Sequence, residues 1–527
     1  MELKLSLPTY PPASKADVET RPKQVQAWLE ALPLANGQEA GRKLADAIIA
    51  LNSIKLAEDD RCQLLECYRD TVCKLLPSLQ QLYVGKSLPL GEKSLQAATL
   101  ARELREALAI GYKTALMDLS ARRVNLATNK TTPLAMARAI ACLGGAMEVY
   151  YESYVAEPAA LWSELHRLYW YAAKLQVHAA PIAENDPDCV NAAYIQVLLL
   201  ALADPYRLSH AQLALVKLYL EKFGRQAQLQ AMGPTENKHG LFLVRLDGDK
   251  SPKALMHYQG VTDARTDIIL NTIPLARLAH QHVQELDAGA TPAKLGLPQV
   301  AGTSALRDLL KRLIKQWGVA PKRLFSRTGA KTDARICGGI SALHYILSEG
   351  VAAGVSVQPM AEQMTVEVSD VLHATGSQST FNCARWMVLN ESAGGVALAK
   401  DPGSYGKIKV GDVIGVEAAD ADAWGVGVVR WMRSAAQGRL EVGAQLLAPD
   451  AEAVALKPVI ASANALFQPA LLLPEIPLLK QAARIIASRG SFQPMREFEV
   501  RSQGLVHRVR ADKLIEQTDS VDLFTFS

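Results

Sequence analysis

The spacing of apolar residues changes near Pro321, and this change constrains the fold more than any other feature of the chain. From about residue 20 to residue 225, apolar residues recur every three or four positions, as in RCQLLECYRDTVCKLL, which is typical of amphipathic helices. Beyond Pro321, short β-type runs such as RWMVLN and WGVGVVRWMR alternate with glycine-containing breaks. The pattern therefore predicts a multidomain α+β protein.

Breaks rich in proline, glycine and polar residues divide the chain into four predicted segments. Residues 1–235 are expected to form an all-α domain of helical hairpins. Residues 236–303 read as a connector with a β-hairpin and a helix, and their membership of the C-terminal β domain is left open. Residues 304–455 are expected to form an antiparallel β-barrel with a preceding amphipathic helix, and residues 456–527 a second small β domain.

Charge and cysteine content narrow the classes of protein to consider. The 57 Lys and Arg residues nearly balance 53 Asp and Glu residues, which argues against a surface for non-specific binding of nucleic-acid polymers. Seven cysteines without a CxxC pair favour reduced thiols over a metal site. The N-terminus does not resemble a signal peptide, and the longest apolar run is too short to cross a membrane. We therefore expect a cytoplasmic protein without membrane insertion.

A basic segment, PKRLFSRTGAKTDAR, immediately precedes the predicted barrel. Its Arg323 and Arg327 lie four positions apart, so in an irregular loop both guanidinium groups can reach one anion. Guanidinium binds phosphate bidentately, stacks on planar rings and pairs with the O6/N7 edge of guanine. A guanine nucleotide is one ligand that offers all three features.

A second polar segment, NESAGG at 390–395, separates two apolar runs. Asn390 can donate to and accept from a base edge, and the Ser392 hydroxyl can bond a base or a phosphate. Gly395 permits a close backbone approach or a positive φ. The alternative interpretation is a simple hairpin turn, which Asn and Gly favour for backbone reasons.

Taken together, RxxxR at 323–327 and [D/N]xSxxG at 390–395 resemble the motifs of the PilZ domain, a bacterial receptor domain for cyclic di-GMP. The resemblance extends from about residue 320 to residue 455. It implies that Arg323 and Arg327 contact guanine faces, guanine edges and phosphates. It also implies that Asn390 and Ser392 meet a guanine from the barrel surface, with Gly395 completing the motif.

The chain departs from the PilZ pattern in two respects. Many PilZ domains have Asp where this chain has Asn390, and an amide offers guanine one acceptor where a carboxylate offers two, which predicts weaker binding. The two motifs are also unusually far apart, because segment 341–381, with a predicted helix at ALHYILSEG, is inserted between them. Lys322 and Arg335 are candidate auxiliary ligand residues only.

The resemblance predicts a bacterial cyclic di-GMP effector. Binding is expected to order the arginine loop and to shift the barrel against its neighbours, with output to a protein partner through the helical domain. Family analogy points to motility, biofilm or surface structures. Without a Walker, GxSxG, HExxH, GGDEF or EAL signature, we expect a binding protein and not an enzyme. The oligomeric state stays open, and a homodimer is compatible with the sequence.

Two other functions compete with this one. In a ligand-independent scaffold, the helical domain would dock a protein and a degenerate PilZ barrel would be structural, which the balanced charge fits equally well. RNA binding by the tandem barrels is disfavoured because the strands lack interleaved aromatic and basic residues. Trp386, Trp424 and Trp431 are expected to lie in the barrel core and not to serve as stacking platforms.

Overall fold

A computed structural model gives the structure of the chain, which divides into two compact units. The first contains Met1–Lys86 and Leu90–Lys322, and the second contains Ser87–Pro89 and Arg323–Ser527. The described residues are 4–9, 18–121, 126–182, 188–298, 302–319, 328–348, 383–392, 394–400, 408–418, 423–434, 439–460, 466–477 and 480–527. Lys322, Arg323, Arg327 and most of segment 341–381 lie outside the described residues.

The helices of the first unit follow the predicted periodicity. In chain order they are α1 (Pro22–Glu30), α2 (Gly37–Ser53), α3 (Glu58–Tyr83), α4 (Glu92–Ala121), α5 (Thr131–Glu152), α6 (Leu161–Lys174), α7 (Val190–Leu202), α8 (His210–Phe223), α9 (Ile273–Asp287) and α10 (Thr303–Gly318). Their apolar faces share one core. Arg61 is buried within it and donates to the carbonyl oxygens of Leu51 and Ile54 at 3.0 and 2.8 Å, which satisfies the end of α2. No helix among the described residues is both long and apolar enough to cross a bilayer.

A four-stranded antiparallel sheet also belongs to the first unit. Its strands are β1 (Gln228–Ala231), β2 (Leu241–Arg245), β3 (Lys253–Ala254) and β4 (Asp267–Asn271), in the order β1-β4-β2-β3. Alternate residues of β2 face opposite sides, because Phe242 and Val244 join the helical core whereas Leu241 and Leu243 pack on the other face. These strands therefore pair with one another, and the C-terminal barrel closes without them.

Helix α10 is amphipathic, as its sequence predicts, but it packs differently from expectation. Its buried residues, among them Leu309 and Trp317, join the helical core of the first unit. The Thr272 hydroxyl donates to the Trp317 carbonyl oxygen at 2.6 Å, which ties the end of α10 to the start of α9. In the structure its apolar face is therefore buried against helices of the first unit, and its grouping with the barrel segment 304–455 stays a prediction about domain boundaries.

The second unit contains two closed antiparallel barrels, where the sequence predicts a barrel followed by a second small β domain. The first barrel has strands β5 (Thr328–Gly338), β6 (Ala384–Ser392), β7 (Gly395–Lys400), β8 (Val413–Ala418), β9 (Gly425–Ser434) and β10 (Leu440–Ala448), in the order β10-β7-β6-β5-β8-β9. The predicted helix after β5 is α11 (Ile340–Ser348). The second barrel has strands β11 (Glu452–Pro458), β12 (Gln468–Leu473), β13 (Arg484–Ser488), β14 (Glu497–Ser502), β15 (Leu505–Gln517) and β16 (Val521–Phe526), in the order β11-β12-β13-β16-β15-β14. Because each barrel is closed, every strand forms backbone hydrogen bonds with a neighbouring strand on both sides.

The two barrels share an apolar core, in which α11 takes part. Its members include Val413, Trp424, Val426, Val428 and Leu447 from the first barrel, Ile340 and Leu343 from α11, and Leu471, Leu473, Ile486, Val521 and Leu523 from the second barrel. Leu343 is fully buried, and its side chain fills the space where a Cβ on Gly415 would stand. Within this unit, α11 therefore packs both barrels together.

Replacing Leu343 by Ala should destabilise the second unit. The change leaves a cavity in the shared core, so we expect a loss of about 2–5 kcal/mol in the free energy of unfolding. Denaturant unfolding followed by tryptophan fluorescence would measure it. Leu505→Ala, at a leucine that is 63% exposed, is the matched control and should change stability by less than about 0.5 kcal/mol. Equal effects of the two variants would contradict the shared core.

Candidate functional site

The NESAGG segment forms the turn of the β6–β7 hairpin. Ser392 pairs with Gly395 across the hairpin, and Asn390 pairs with Ala397. The Ser392 hydroxyl donates to the carbonyl oxygen of Gly395 at 3.2 Å. Asn390 and Ser392 are both half-buried. The segment thus lies at a hairpin, and the side chains of Asn390 and Ser392 stay partly accessible there.

A β-bulge controls which way Asn390 points. The pairing of β6 with β7 shifts between Val388 and Asn390. Val388 lies opposite the fully buried Leu398, which places both side chains inside the barrel. After the shift, Asn390 lies opposite Ala397, the next residue of opposite orientation on β7. The bulge therefore brings Asn390 to the outer face, as bulges near binding sites often do.

Gly395 is required for a close backbone approach. A Cβ at this position would lie 2.5 Å from the carbonyl oxygen of Ala444 and 3.4 Å from the Cα atom of Gln445, both on β10. The backbone of Gly395 is not in the left-handed region. Of the two reasons for glycine that the sequence allows, close approach is therefore the one that applies.

Strand β5 leads the chain from the arginine motif to the hairpin. Thr328 pairs with Glu391, and Gly329 pairs with Asn390. Arg327 lies outside the described residues, but it is joined directly to Thr328 in the sequence. The chain therefore enters the barrel opposite the [D/N]xSxxG motif.

Arg335, a candidate auxiliary residue, lies far from the hairpin that carries Asn390 and Ser392. It lies six positions beyond Gly329 on β5, roughly 20 Å along an extended strand. Its guanidinium forms an ion pair with Glu417 at 2.8 Å and lies 5.4 Å from the centre of the Trp424 ring. The second candidate auxiliary, Lys322, lies outside the described residues. Arg335 as an auxiliary ligand residue thus gains no support from its position.

The sequence predicts that three tryptophans lie in the barrel core, and this prediction is wrong for Trp431. Trp386 and Trp424 are buried, with 2% and 8% exposure, as predicted for core residues. Trp431 is only half-buried, and its neighbour Met432 faces the interior, so the indole lies on the outer face. Because a Cβ on Gly443 would collide with the indole, Trp431 lies across β10 towards β7. A strand glycine such as Gly443 often marks such an approach and could have indicated it.

Small residues continue this row from Trp431 to Asn390. Trp431 pairs with Gly443, Gly443 with Ala397, and Ala397 with Asn390. Gly329 then follows on β5. The distance from β10 to β6 is about 10 Å, as for two strand spacings. The outer face therefore has an apolar floor, formed by the indole of Trp431 over Gly443 and by the 3% exposed Ala397, and this floor ends at the Asn390 amide.

A buried cation, Lys400, lies inside the first barrel and not on this outer face. Lys400 at the end of β7 is 3% exposed, and its Nζ lies 5.8 Å from the centre of the Trp386 ring. Burial lowers the pKa of Lys400. Near the end of β5, burial and the neighbouring Cys383 raise the pKa of the Cys337 thiol to about 12. Neither group is available to a ligand on the outer face. The described residues also contain no His, Cys, Asp and Glu cluster arranged to hold a metal ion.

Domain models of one protein family match the chain in order. The N-terminal domain of the cyclic-di-GMP receptor FimW matches residues 23–235, its middle PilZ domain matches residues 241–367 and 353–453, and its C-terminal β-barrel domain matches residues 454–527. The chain belongs to the FimW family. The cyclic-di-GMP receptor FimW of Pseudomonas aeruginosa is 26% identical to it over 576 aligned positions, which cover 99% of this chain and 93% of that protein.

The family match agrees with the motif interpretation. The PilZ resemblance inferred from RxxxR and [D/N]xSxxG is confirmed, since the middle PilZ domain of the FimW family covers both motifs. The predicted order of a helical domain, a PilZ barrel and a second β domain is confirmed as well. FimW is named as a receptor, which is a binding role and not a catalytic one.

Replacing Gly395 by Ala should distort the hairpin, because the new Cβ meets the rigid backbone of β10. We expect a loss of about 1–3 kcal/mol in unfolding free energy, the usual cost of overpacking. Gly329→Ala is the matched control, since no atom lies within 4 Å of a Cβ at that position and the change should be tolerated. Denaturant unfolding of both variants would measure the difference. A Gly395→Ala variant as stable as the parent would show that the close approach is not needed.

Proposed function

We propose that this chain is a cyclic di-GMP receptor that binds the nucleotide on the outer face of its first barrel. The register between β5 and β6 is the observation that carries this proposal. It sets Thr328, the residue after Arg327, opposite Glu391, between Asn390 and Ser392. The start of β5, which directly follows the arginine motif in the sequence, thus lies beside the [D/N]xSxxG hairpin, and this supports a single ligand for both motifs.

The chemistry of the two motifs is complementary. Arg323 and Arg327 supply guanidinium groups for the phosphates and for the O6/N7 edge of guanine. Asn390 supplies a donor and an acceptor for a guanine edge, and the Ser392 hydroxyl retains acceptor capacity while it donates to Gly395. The neutral Asn390 also avoids placing a carboxylate beside an anionic ligand.

The apolar floor of the outer face fits a planar base. Because the indole of Trp431 covers Gly443 and Ala397 is 3% exposed, a purine would lie against the indole and beside the exposed Gly329. A base in this position would stack its ring on an apolar surface and form hydrogen bonds from its edge to the Asn390 amide. Proteins commonly recognise bases through this combination of stacking and hydrogen bonding.

In the cell, this chain would act as an effector and not as an enzyme. Nucleotide binding would order the arginine motif and alter the barrel's contacts with its neighbours, and a protein partner would read the change through the helical domain. By family analogy, the regulated process would be motility, biofilm formation or a surface structure. Recognition of an internal second messenger implies a cytoplasmic site of action.

Removing both motif arginines should abolish most of the binding. For Arg323→Ala/Arg327→Ala we expect roughly a hundredfold loss of affinity for cyclic di-GMP, because two charge-assisted contacts are lost. Titration calorimetry of the parent and the variant would measure it. Arg508→Ala, at an exposed arginine of the second barrel, controls for a general loss of positive charge. A parent protein that does not bind cyclic di-GMP would exclude the receptor role and favour the ligand-independent scaffold.

Replacing Trp431 by Ala should weaken the same binding by removing a stacking surface. Stacking on an aromatic ring contributes about 1–3 kcal/mol per base, so we expect a loss of roughly 5- to 150-fold, with most of the affinity retained in Trp431→Phe. Trp28→Ala, at a tryptophan in the helical domain that is 39% exposed, is the control. Unchanged affinity in Trp431→Ala, with the fold intact by circular dichroism, would remove the indole from the proposed site.

A further inference from the structure

A polar bridge joins the two barrels beside the hairpin. Arg430 on β9 donates from Nε to Oε1 of Gln445 on β10 at 2.9 Å. Its Nη2 donates to Oε2 of Glu516 on β15 at 2.7 Å, and its Nη1 contacts the other oxygen of the same carboxylate. The Arg430 and Glu516 side chains are 24% and 28% exposed. One guanidinium thus holds an amide of the first barrel and a carboxylate of the second.

A β-bulge directs Arg430 to this position. The pairing of β9 with β10 shifts between Gly443 and Ala444, which pair with Trp431 and Val429, so Arg430 is the extra residue. An extra residue in one strand bends it and aims the side chain away from the regular alternation. Arg430 therefore leaves the strand pattern that places Trp431 on the floor of the candidate site, and it reaches the second barrel instead.

The bridge continues through β10 to the ligand motif. Gln445 pairs with Gly395, and the backbone of Gly395 lies directly against Ala444 and Gln445. Gly395 accepts the hydrogen bond from the Ser392 hydroxyl. Each step is a direct contact between neighbouring groups. A shift of Gln445 would therefore move the hairpin that carries the motif.

We propose that Arg430 and Glu516 are positioning residues through which the second barrel sets the affinity of the first barrel for its ligand. The inference rests on the proposed function, in which the hairpin binds cyclic di-GMP. The Glu516 carboxylate binds the Arg430 guanidinium, which donates a hydrogen bond to the Gln445 amide. Gln445 in turn pairs with Gly395 between β10 and β7. Because coupling between sites is reciprocal, bound nucleotide in turn strengthens the pairing of the two barrels at this bridge.

Other contacts between the barrels serve as the comparison. The Thr518 hydroxyl donates to the Gly411 carbonyl oxygen at 2.8 Å, and the Ser520 hydroxyl donates to the Asp412 carboxylate. These bonds join the same two barrels at the turn before β8. Neither bond involves Gln445 or the hairpin directly, and Gly411 and Asp412 reach β10 by way of backbone bonds to Val429, which pairs with Ala444. Loss of one of them should affect the packing of the barrels without affecting the ligand site.

The test is a double-mutant cycle on the full-length protein. Glu516→Ala, Arg430→Ala and the combined variant are titrated with cyclic di-GMP by calorimetry. We expect each single variant to lose about 3- to 10-fold in affinity, within the usual range of coupling between sites. The double variant should bind no more weakly than Arg430→Ala, because Glu516 acts only through that residue. Ser520→Ala should bind as the parent does.

Hydrogen exchange of the nucleotide-free protein supplies a readout that does not depend on binding. Glu516→Ala and Arg430→Ala should both accelerate amide exchange in residues 384–400, whereas Ser520→Ala should not. In the parent, added nucleotide should slow exchange in residues 505–526, and this effect should be lost in Arg430→Ala. A folding defect would instead accelerate exchange across both barrels.

The outcomes separate the two proposals. If the parent does not bind cyclic di-GMP, the proposed function fails, and exchange at the hairpin still decides whether the bridge positions it. If the parent binds and Arg430→Ala alone weakens binding, Arg430 contacts the ligand directly and the positioning role is wrong. Additive losses from Glu516→Ala and Arg430→Ala would likewise overturn it, as would hairpin exchange unchanged in both variants.

Discussion

The antiparallel pairing of β5 with β6 is the constraint on which the candidate site depends. Antiparallel strands pair the start of one with the end of the other, so the beginning of β5 meets the end of β6. The inserted segment joins the opposite ends of these strands, Gly338 and Ala384, roughly 30 Å away along the strands. Its length adds only a slowly growing loop-closure cost, and its attachment does not interrupt the motifs. The unusual spacing of the motifs in the sequence is therefore compatible with one binding site, because the start of β5 pairs with the hairpin whatever the length of the insertion.

Barrel closure explains why the outer face has glycines where strands usually avoid them. Glycine weakens a strand because it offers no side chain for packing. At Gly395 and Gly443 this loss is accepted, because β10 must approach β7 closely and Trp431 must lie across the sheet. Each strand is paired on both sides, so neither position can relax by shifting an edge. The glycines at these positions lower strand propensity, but they allow close packing. This packing makes the outer face flat and places the hairpin directly against β10.

Much of the architecture could be predicted from the sequence because apolar periodicity reports burial directly. The change near Pro321 separates helices from strands, and NESAGG between two apolar runs predicts a hairpin that the structure contains. Periodicity does not identify the partner of a buried face, so the sequence alone could not show that α10 packs on the helical core. It also cannot locate bulges, which depend on pairing between strands. The outward position of Trp431 and the reach of Arg430 both follow from such shifts, and neither could be read from β9 alone.

The two kinds of contact between the barrels are suited to different tasks. The shared core buries large apolar side chains from both barrels and from α11, so separating the barrels would expose all of that surface to water. The Arg430–Glu516 pair is partly exposed, and water can replace its bonds at little cost. A switch needs states that differ by only a few kcal/mol, because a ligand can shift an equilibrium only by its difference in affinity for the two states. The core therefore keeps the barrels together while the bridge can respond to the ligand. An effector built in this way would transmit nucleotide binding as a local change at the bridge, without dissociation of its two barrels.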